Sequence, residues 1–465
     1  MRRSMKKIVC LSLGVCLSVL AFTGCSNTPK TEGTVAEEGN TAGKTNTAKT
    51  KITLWTGQRA DYVIREEKLA AYNEASEDTE VEMQIYTEDY ATTLELSFTS
   101  NQAPDIFQVV NNAKYYVDRE MLLPLDEFLT ESEIARYGDL FGIDQVNMVD
   151  GKTYTLAERG ITYRLIYNKD ILAAAGISEP PKTMEQVYEY AKQITEWGKD
   201  QGIYGFAIHL KTPASVGERV IDQVGFRNGI SAYNYNEGKY DYSVMKEVLE
   251  PFKKMYEEGI MFPGVEGLEI DPLRTQFAAG KIGMYIYGSW EPAIYAEDGQ
   301  FPAENSWGVS TIPGIGTETP MGKTDIKNAG KSWGISSTSK NPEKSWEYIK
   351  YMLSDEYMTE YHEEGYGIVV IPSVAEKAKA PDMAGMDGFA MSTDLDKIWP
   401  VRPDTAGLSV EGKNAYDTYA SIILGAIDME QGLSELTERY NAALDKAERD
   451  GVTERVIITD FDASK

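Results

Sequence analysis

The chain has 465 residues and only two histidines, His209 and His362, far apart in sequence. Both are expected to be structural. There is no HExxH pair and no Cys/His cluster at metal-ligand spacing, so no metal centre is expected. Gly-Lys-Thr/Ser occurs at Gly151, Gly322 and Gly330. A phosphate-cradling loop needs a further glycine five residues earlier, and Val146, Thr317 and Asp325 stand there instead. Carboxylates are the one catalytic resource in quantity, and with 73 of them composition alone cannot exclude a glycosidase, which needs only two. A carbohydrate-active hydrolase with paired carboxylates therefore stays open as an alternative, without a local motif behind it. No catalytic residue is nominated and no cofactor is expected.

The aromatic residues are more informative. Tyr (29) exceeds Phe (13) more than twofold, and there are seven Trp. Tyr and Trp pair an apolar face with a hydrogen-bonding tip. That combination suits a neutral, well-hydrated ligand such as a sugar, which has a C–H face and a rim of hydroxyls. A net charge of −27 argues against nucleic acid, because phosphate binding needs an excess of basic side chains.

The elements that must hold these groups alternate. Lys51–Trp55 reads as a strand, 65–73 as a helix, and 80–86 as a half-buried strand with period-two alternation. Asp105–Val110 reads as a further strand, so the pattern is an α/β domain with a mainly parallel sheet. A second α/β region follows. Leu165–Tyr167 is a strand, 170–175 a helix stopped by Gly176, and Thr183-Met-Glu-Gln186 a capping box opening the next helix. Gly205–Ile208 is its next strand. Asn341-Pro342 opens a late helix with Asn as cap.

The amino-terminal segment reads differently. Arg2, Arg3, Lys6 and Lys7 precede an apolar run from Ile8 to Phe22, the layout of a secretory signal peptide. Leu20-Ala-Phe-Thr-Gly-Cys25 resembles the lipobox of bacterial lipoproteins, although Phe22 stands where that family usually has Leu. The resemblance implies cleavage after residue 24 and lipidation (palmitate among the acyl groups) of Cys25. Cys10 and Cys16 would leave with the leader, so one mature chain could form no internal disulfide. Residues 25–50 are small and polar without an aromatic, and are expected to be a flexible tether. Its rms span would be roughly 25–30 Å.

Seven stretches, in order, resemble the extracellular solute-binding proteins of ABC importers, in the carbohydrate-binding branch that includes maltodextrin-binding proteins. They are Ala103–Phe107; Gly151–Leu156; Leu165–Ile171 with Ala175–Ile177; Pro180–Thr183; Phe277–Met284 running to Trp290; Trp307–Val309 with Ile312–Gly314; and Gly330–Ile335 through Glu343. Ala157 departs from the family's usual Pro. The resemblance implies a two-lobe periplasmic-binding-protein fold, each lobe a mainly parallel sheet flanked by helices. It implies hinge crossings near 160–164, 311–330 and 355–371. Lobe one would be 51–162 plus 315–365, and lobe two 163–314 plus 372–465. It also implies ligand-binding candidates at the cleft: Trp55, Gln58, Arg59, Asn111, Asn112, Tyr163, Trp290, Trp333, Trp399 and Arg402. Asp105 is expected to be structural, bonding backbone at the strand start, and Lys281 to sit on a surface turn. The implied protein is no enzyme. It would be a monomer tethered by lipid to the outer face of the cytoplasmic membrane, handing a saccharide to the membrane subunits of an ABC permease. A binder of the same fold for a non-sugar solute is the other alternative.

Overall fold

The computed structural model describes residues 48–465 apart from 59–60, 87–88, 298, 329–331 and 404–407. The leader, most of the tether, Cys25, Arg59 and the Gly330-Lys331 pair lie outside the described residues. Among the described residues no helix is long and apolar enough to cross a membrane.

The first sheet runs in the order Trp333–Ile335, Ile106–Gln108, Thr50–Thr56, Thr79–Ile85. Thr50–Thr56 pairs in parallel with both neighbours, and only Trp333–Ile335 runs antiparallel. Parallel neighbours need a crossover; the helices Tyr62–Ala75 and Tyr90–Thr99 lie in the two connections. The sheet is therefore mainly parallel, as expected. Asp105 locks its start: Oδ2 accepts from the Thr53 amide at 3.0 Å and hydroxyl at 3.1 Å, and Oδ1 from Ser339 at 2.6 Å. That is the structural role expected of it.

The second sheet has the order Trp307–Ser310, Tyr163–Asn168, Ile282–Gly288, Tyr204–Phe206. Here the expectation of mainly parallel pairing is corrected. Tyr163–Asn168 is antiparallel to both of its neighbours, and only Ile282–Gly288 with Tyr204–Phe206 is parallel. The reason is topological. Tyr163–Asn168 enters mid-sheet directly from the hinge, so no helical return from a neighbouring strand sets its direction. Ile282–Gly288 is buried at every position, as a central strand covered on both faces must be. The helix Met184–Gly198 lies so close that a Cβ on Gly205 would sit 2.1 Å from the Ala191 carbonyl oxygen. Thr183 caps that helix by accepting from the Gln186 amide at 3.1 Å, but the Gln186 side chain bonds the Lys182 amide, one residue before the cap. Asn341 opens its helix without a side-chain capping bond.

Three extended segments cross between the sheets side by side. Arg159–Gly160 pairs antiparallel with Ile368–Val369, and Ile161 exchanges both backbone hydrogen bonds with Lys327, at 2.9 and 3.1 Å. The third crossing alternates its side chains between lobes: Ile368 joins the lobe-two core, and Val369 the lobe-one core. Segment 315–325 bonds lobe-two residues, with the Gly322 amide on Arg227 and the Thr324 amide on Leu395, and Ile326 is the first residue after it in the lobe-one core. Ile371 and Val374 also pack in lobe one.

Buried ion pairs fix both ends of the first crossing. Arg65 donates to Asp61 at 2.8 Å and to Glu158 at 2.9 Å inside lobe one. Arg164 forms a fork with Asp396, both bonds 2.7 Å and both side chains 1% exposed, in lobe two. Removing one partner of such a pair strands a buried charge, so Asp396→Ala should cost about 3–5 kcal/mol in urea unfolding.

Candidate functional site

Two cavities, of about 660 and 520 Å³, lie where the lobes face each other across the crossings. Asn328, left-handed at φ 66°, lines both. Both are bounded by loops leaving the C-terminal ends of strands, where open α/β sheets place ligands.

In the larger cavity, lobe one contributes Gly57 and Gln58 after its first strand, and Gln108, Val109 and Val110 at the end of another. Lobe two contributes Ser289 and Trp290, directly after the Ile282–Gly288 strand. Arg159 to Ile161 and Gly365 to Ile368, from the crossings, line it as well. Trp290 is half-buried and held edge-on by two rings, Tyr287 at 5.1 Å and Tyr163 at 6.0 Å. A Cβ on Gly288 would meet the indole at 2.6 Å, so only glycine lets Trp290 fold back over its own strand. Arg219 donates to the Tyr287 hydroxyl at 2.8 Å and sits 5.3 Å from the indole centre, a cation–π distance. The residue after Trp290, the fully buried Glu291, accepts from Arg274 and from the Tyr285 hydroxyl.

The smaller cavity is lined by Asn111 and Asn112 of lobe one and by Phe226, Tyr235, Trp399 and Arg402 of lobe two. Trp399 stacks on Phe226 at 4.1 Å and donates to the Lys323 carbonyl at 2.7 Å. Behind it Phe461 packs against both Trp399 and Tyr235, while the Ile458 amide bonds the Tyr235 carbonyl. Arg402 donates to Asp222 at 3.2 Å and to the Tyr416 hydroxyl at 3.1 Å. Tyr416 lies over Gly217 of the π-helical turn Gly217–Ile221, which carries Glu218 into the cavity wall. π-turns recur at functional sites. Burial works against the charge on Lys327, but Asp325 at 3.0 Å and Glu218 outweigh it and raise its pKa.

The structure thus brings Gln58 and Trp290 to one cavity, and Asn111, Asn112, Trp399 and Arg402 to the other. It puts the remaining described candidates elsewhere. Trp55 is half-buried against Tyr86 at 4.5 Å and lines neither cavity. Tyr163 is 2% exposed and supports Trp290 from behind. Trp333 is 1% exposed in the lobe-one core, with the Arg65 guanidinium 4.7 Å from its ring. Sequence reasoning missed Arg159, Gln108 and the lobe-two pair Phe226 and Tyr235. Gln108 was within reach, since it ends the Asp-Ile-Phe strand. The lobe-two pair carries no local motif.

The fold and the cleft define a two-lobe binding protein. The chain belongs to the bacterial extracellular solute-binding protein family, whose model matches residues 56–359. A Brucella abortus (strain 2308) protein is 24% identical over 302 residues, 62% of this chain; the chain spans 65% of that relative's length. The diacetylchitobiose binding protein DasA of Streptomyces coelicolor is 24% identical over 451 residues, 95% of this chain and 99% of its own. The sugar-binding protein MalE from Xanthomonas citri superposes with a TM-score of 0.68 at 19% identity, covering 87% of this chain and 100% of that one. This last likeness is one of fold.

His209 is buried and His362 half-buried. His362 Nδ1 lies 3.2 Å from the Gly367 carbonyl. His209 is 2% exposed beside Ser215, and burial, with Arg219 and Arg274, lowers its pKa to about 3. A folded-state pKa below the unfolded value means that the unfolded chain takes the proton first, so stability is lost as pH falls below about 6.5. His209→Asn should flatten the fall in melting temperature between pH 6.5 and 4, measured by differential scanning calorimetry.

Proposed function

We propose that the protein is an extracytoplasmic receptor that binds a sugar or oligosaccharide between its lobes and delivers it to an ABC importer permease. The observation that carries this reading is Trp290. It is an indole braced edge-on by two rings, walling a cavity of about 660 Å³ that also holds the amides of Gln58, Gln108 and Asn328. An aromatic wall with amide donors and acceptors matches the C–H face and hydroxyl rim of a pyranose. The charges agree. The two cavities are lined by five cations (Lys114, Arg119, Arg159, Lys327, Arg402) and four carboxylates (Asp118, Glu218, Asp325, Glu364), although the chain as a whole carries −27. A near-neutral cleft in a strongly acidic protein favours an uncharged ligand. The saccharide names carried by relatives such as DasA and MalE support the same class.

Saccharide binds one lobe first, and contacts then gained from the other supply the differential affinity that favours the closed state. No bond in the ligand is made or broken. Lipid on Cys25 tethers the protein, as a monomer, to the outer face of the cytoplasmic membrane, and the segment to residue 50 gives it reach. Trp290→Ala should weaken saccharide binding by about 1–3 kcal/mol in calorimetry, the worth of one buried aromatic contact. An unchanged affinity would remove Trp290 from the site. Incubation with oligosaccharides should leave them intact by chromatography, whereas shortened products would favour the hydrolase alternative.

A further inference from the structure

The larger cavity contains a relay of polar side chains that ends on the hinge. The Gln108 Oε1 accepts from the Thr56 hydroxyl at 2.8 Å and from the Gly57 amide at 3.1 Å. Its Nε2 donates to Gln58 Oε1 at 3.2 Å. The same Gln58 oxygen accepts from Arg159, the one cation lining this cavity among the described residues. Arg159 belongs to the first crossing and is paired through its backbone with Val369 of the third.

Arg159 is unusually supplied with spare donors. A guanidinium carries five N–H groups. Among the described residues only Gln58 lies within hydrogen-bond distance; Glu158 and Asp61 stand off at 3.9 and 4.0 Å. Those two carboxylates are already engaged by Arg65. They hold the Arg159 charge in place without filling its donors. A planar fork of donors facing a cavity matches two adjacent oxygens, and the vicinal diol of a sugar ring presents such a pair.

We infer that Arg159 takes a vicinal diol of the saccharide in the Trp290 cavity and, through its bond to Gln58, couples occupancy of that cavity to the hinge. The inference rests on the carbohydrate reading for its ligand, but not for its coupling. The Gln58–Arg159 bond joins the end of the lobe-one sheet to a backbone segment whose neighbours, Glu158 and Arg164, are fixed in opposite lobes. A ligand oxygen competing for the guanidinium shifts the balance between that bond and the ligand bond. The change falls on the few residues able to turn. Any such contact that differs between open and closed lobes biases the equilibrium.

Amide hydrogen exchange by mass spectrometry on the full chain tests this, with wild type, Gln58→Ala, Gln58→Glu and Arg159→Lys. Maltotriose and N,N′-diacetylchitobiose serve as probes. Without ligand, Gln58→Ala should speed exchange in the peptides carrying Ile161, Lys327 and Val370 by about tenfold, the value of one charge-assisted hydrogen bond. Gln58→Glu, a stronger acceptor, should slow it. Residue 58 lies outside those peptides, so a purely local structural role for Arg159 predicts no change. Unchanged exchange in both Gln58 variants overturns the coupling. Arg159→Lys keeps the charge beside Asp61 and Glu158 but lacks the fork, and should weaken binding of whichever probe binds wild type about tenfold. Undiminished affinity overturns the contact. If neither probe binds wild type while exchange responds as expected, the Gln58–Arg159 link to the hinge stands and the diol contact with these two saccharides fails.

Discussion

The first crossing is gripped at both ends by buried guanidinium–carboxylate pairs, and the geometry of the cleft depends on that grip. Arg65 holds Glu158 to lobe one, and Asp396 holds Arg164 to lobe two. Between these anchors the chain passes from one lobe to the other, and Ile161 in their middle is tied to the second crossing. Buried pairs contribute little net stability because desolvation offsets most of the attraction. What they supply here is definition: each lobe holds its own end of the crossing in a fixed orientation.

Rigid lobes make the cavity walls meaningful. Trp290 can present a defined surface because Gly288 admits its ring, Tyr163 and Tyr287 confine its edges, and Arg219 lies 5.3 Å from its centre. Trp399 is confined by Phe226 and the Lys323 carbonyl in the same way. In both cases the side chain is immobilised by groups on several elements. Association then orders few side chains, which lowers the entropic cost of binding.

Much of lobe one was legible in the sequence. Its strands alternate or follow Pro, and the structured span Thr79–Ile85 matches the period-two run expected there. Trp290 was legible because it directly follows a fully apolar strand within a recognisable motif. Trp333 was not separable from a cleft residue, since an aromatic at the start of a covered strand reads alike whether it faces ligand or core. Its neighbour Arg65, brought over the ring from a distant helix, decides the matter. The antiparallel pairing of lobe two was equally hidden, because strand direction is set by long connections and not by local pattern. Arg159 escaped notice because its significance lies in partners distant in sequence, Gln58 and Asp61.

The packing of Phe461 behind Trp399 and Tyr235 has a practical use. Ser464, three residues further on, is exposed. An environment-sensitive dye attached at Ser464 would be joined by a short length of chain to the ring that backs the smaller cavity. This makes the position a natural one for an optical biosensor built on the protein.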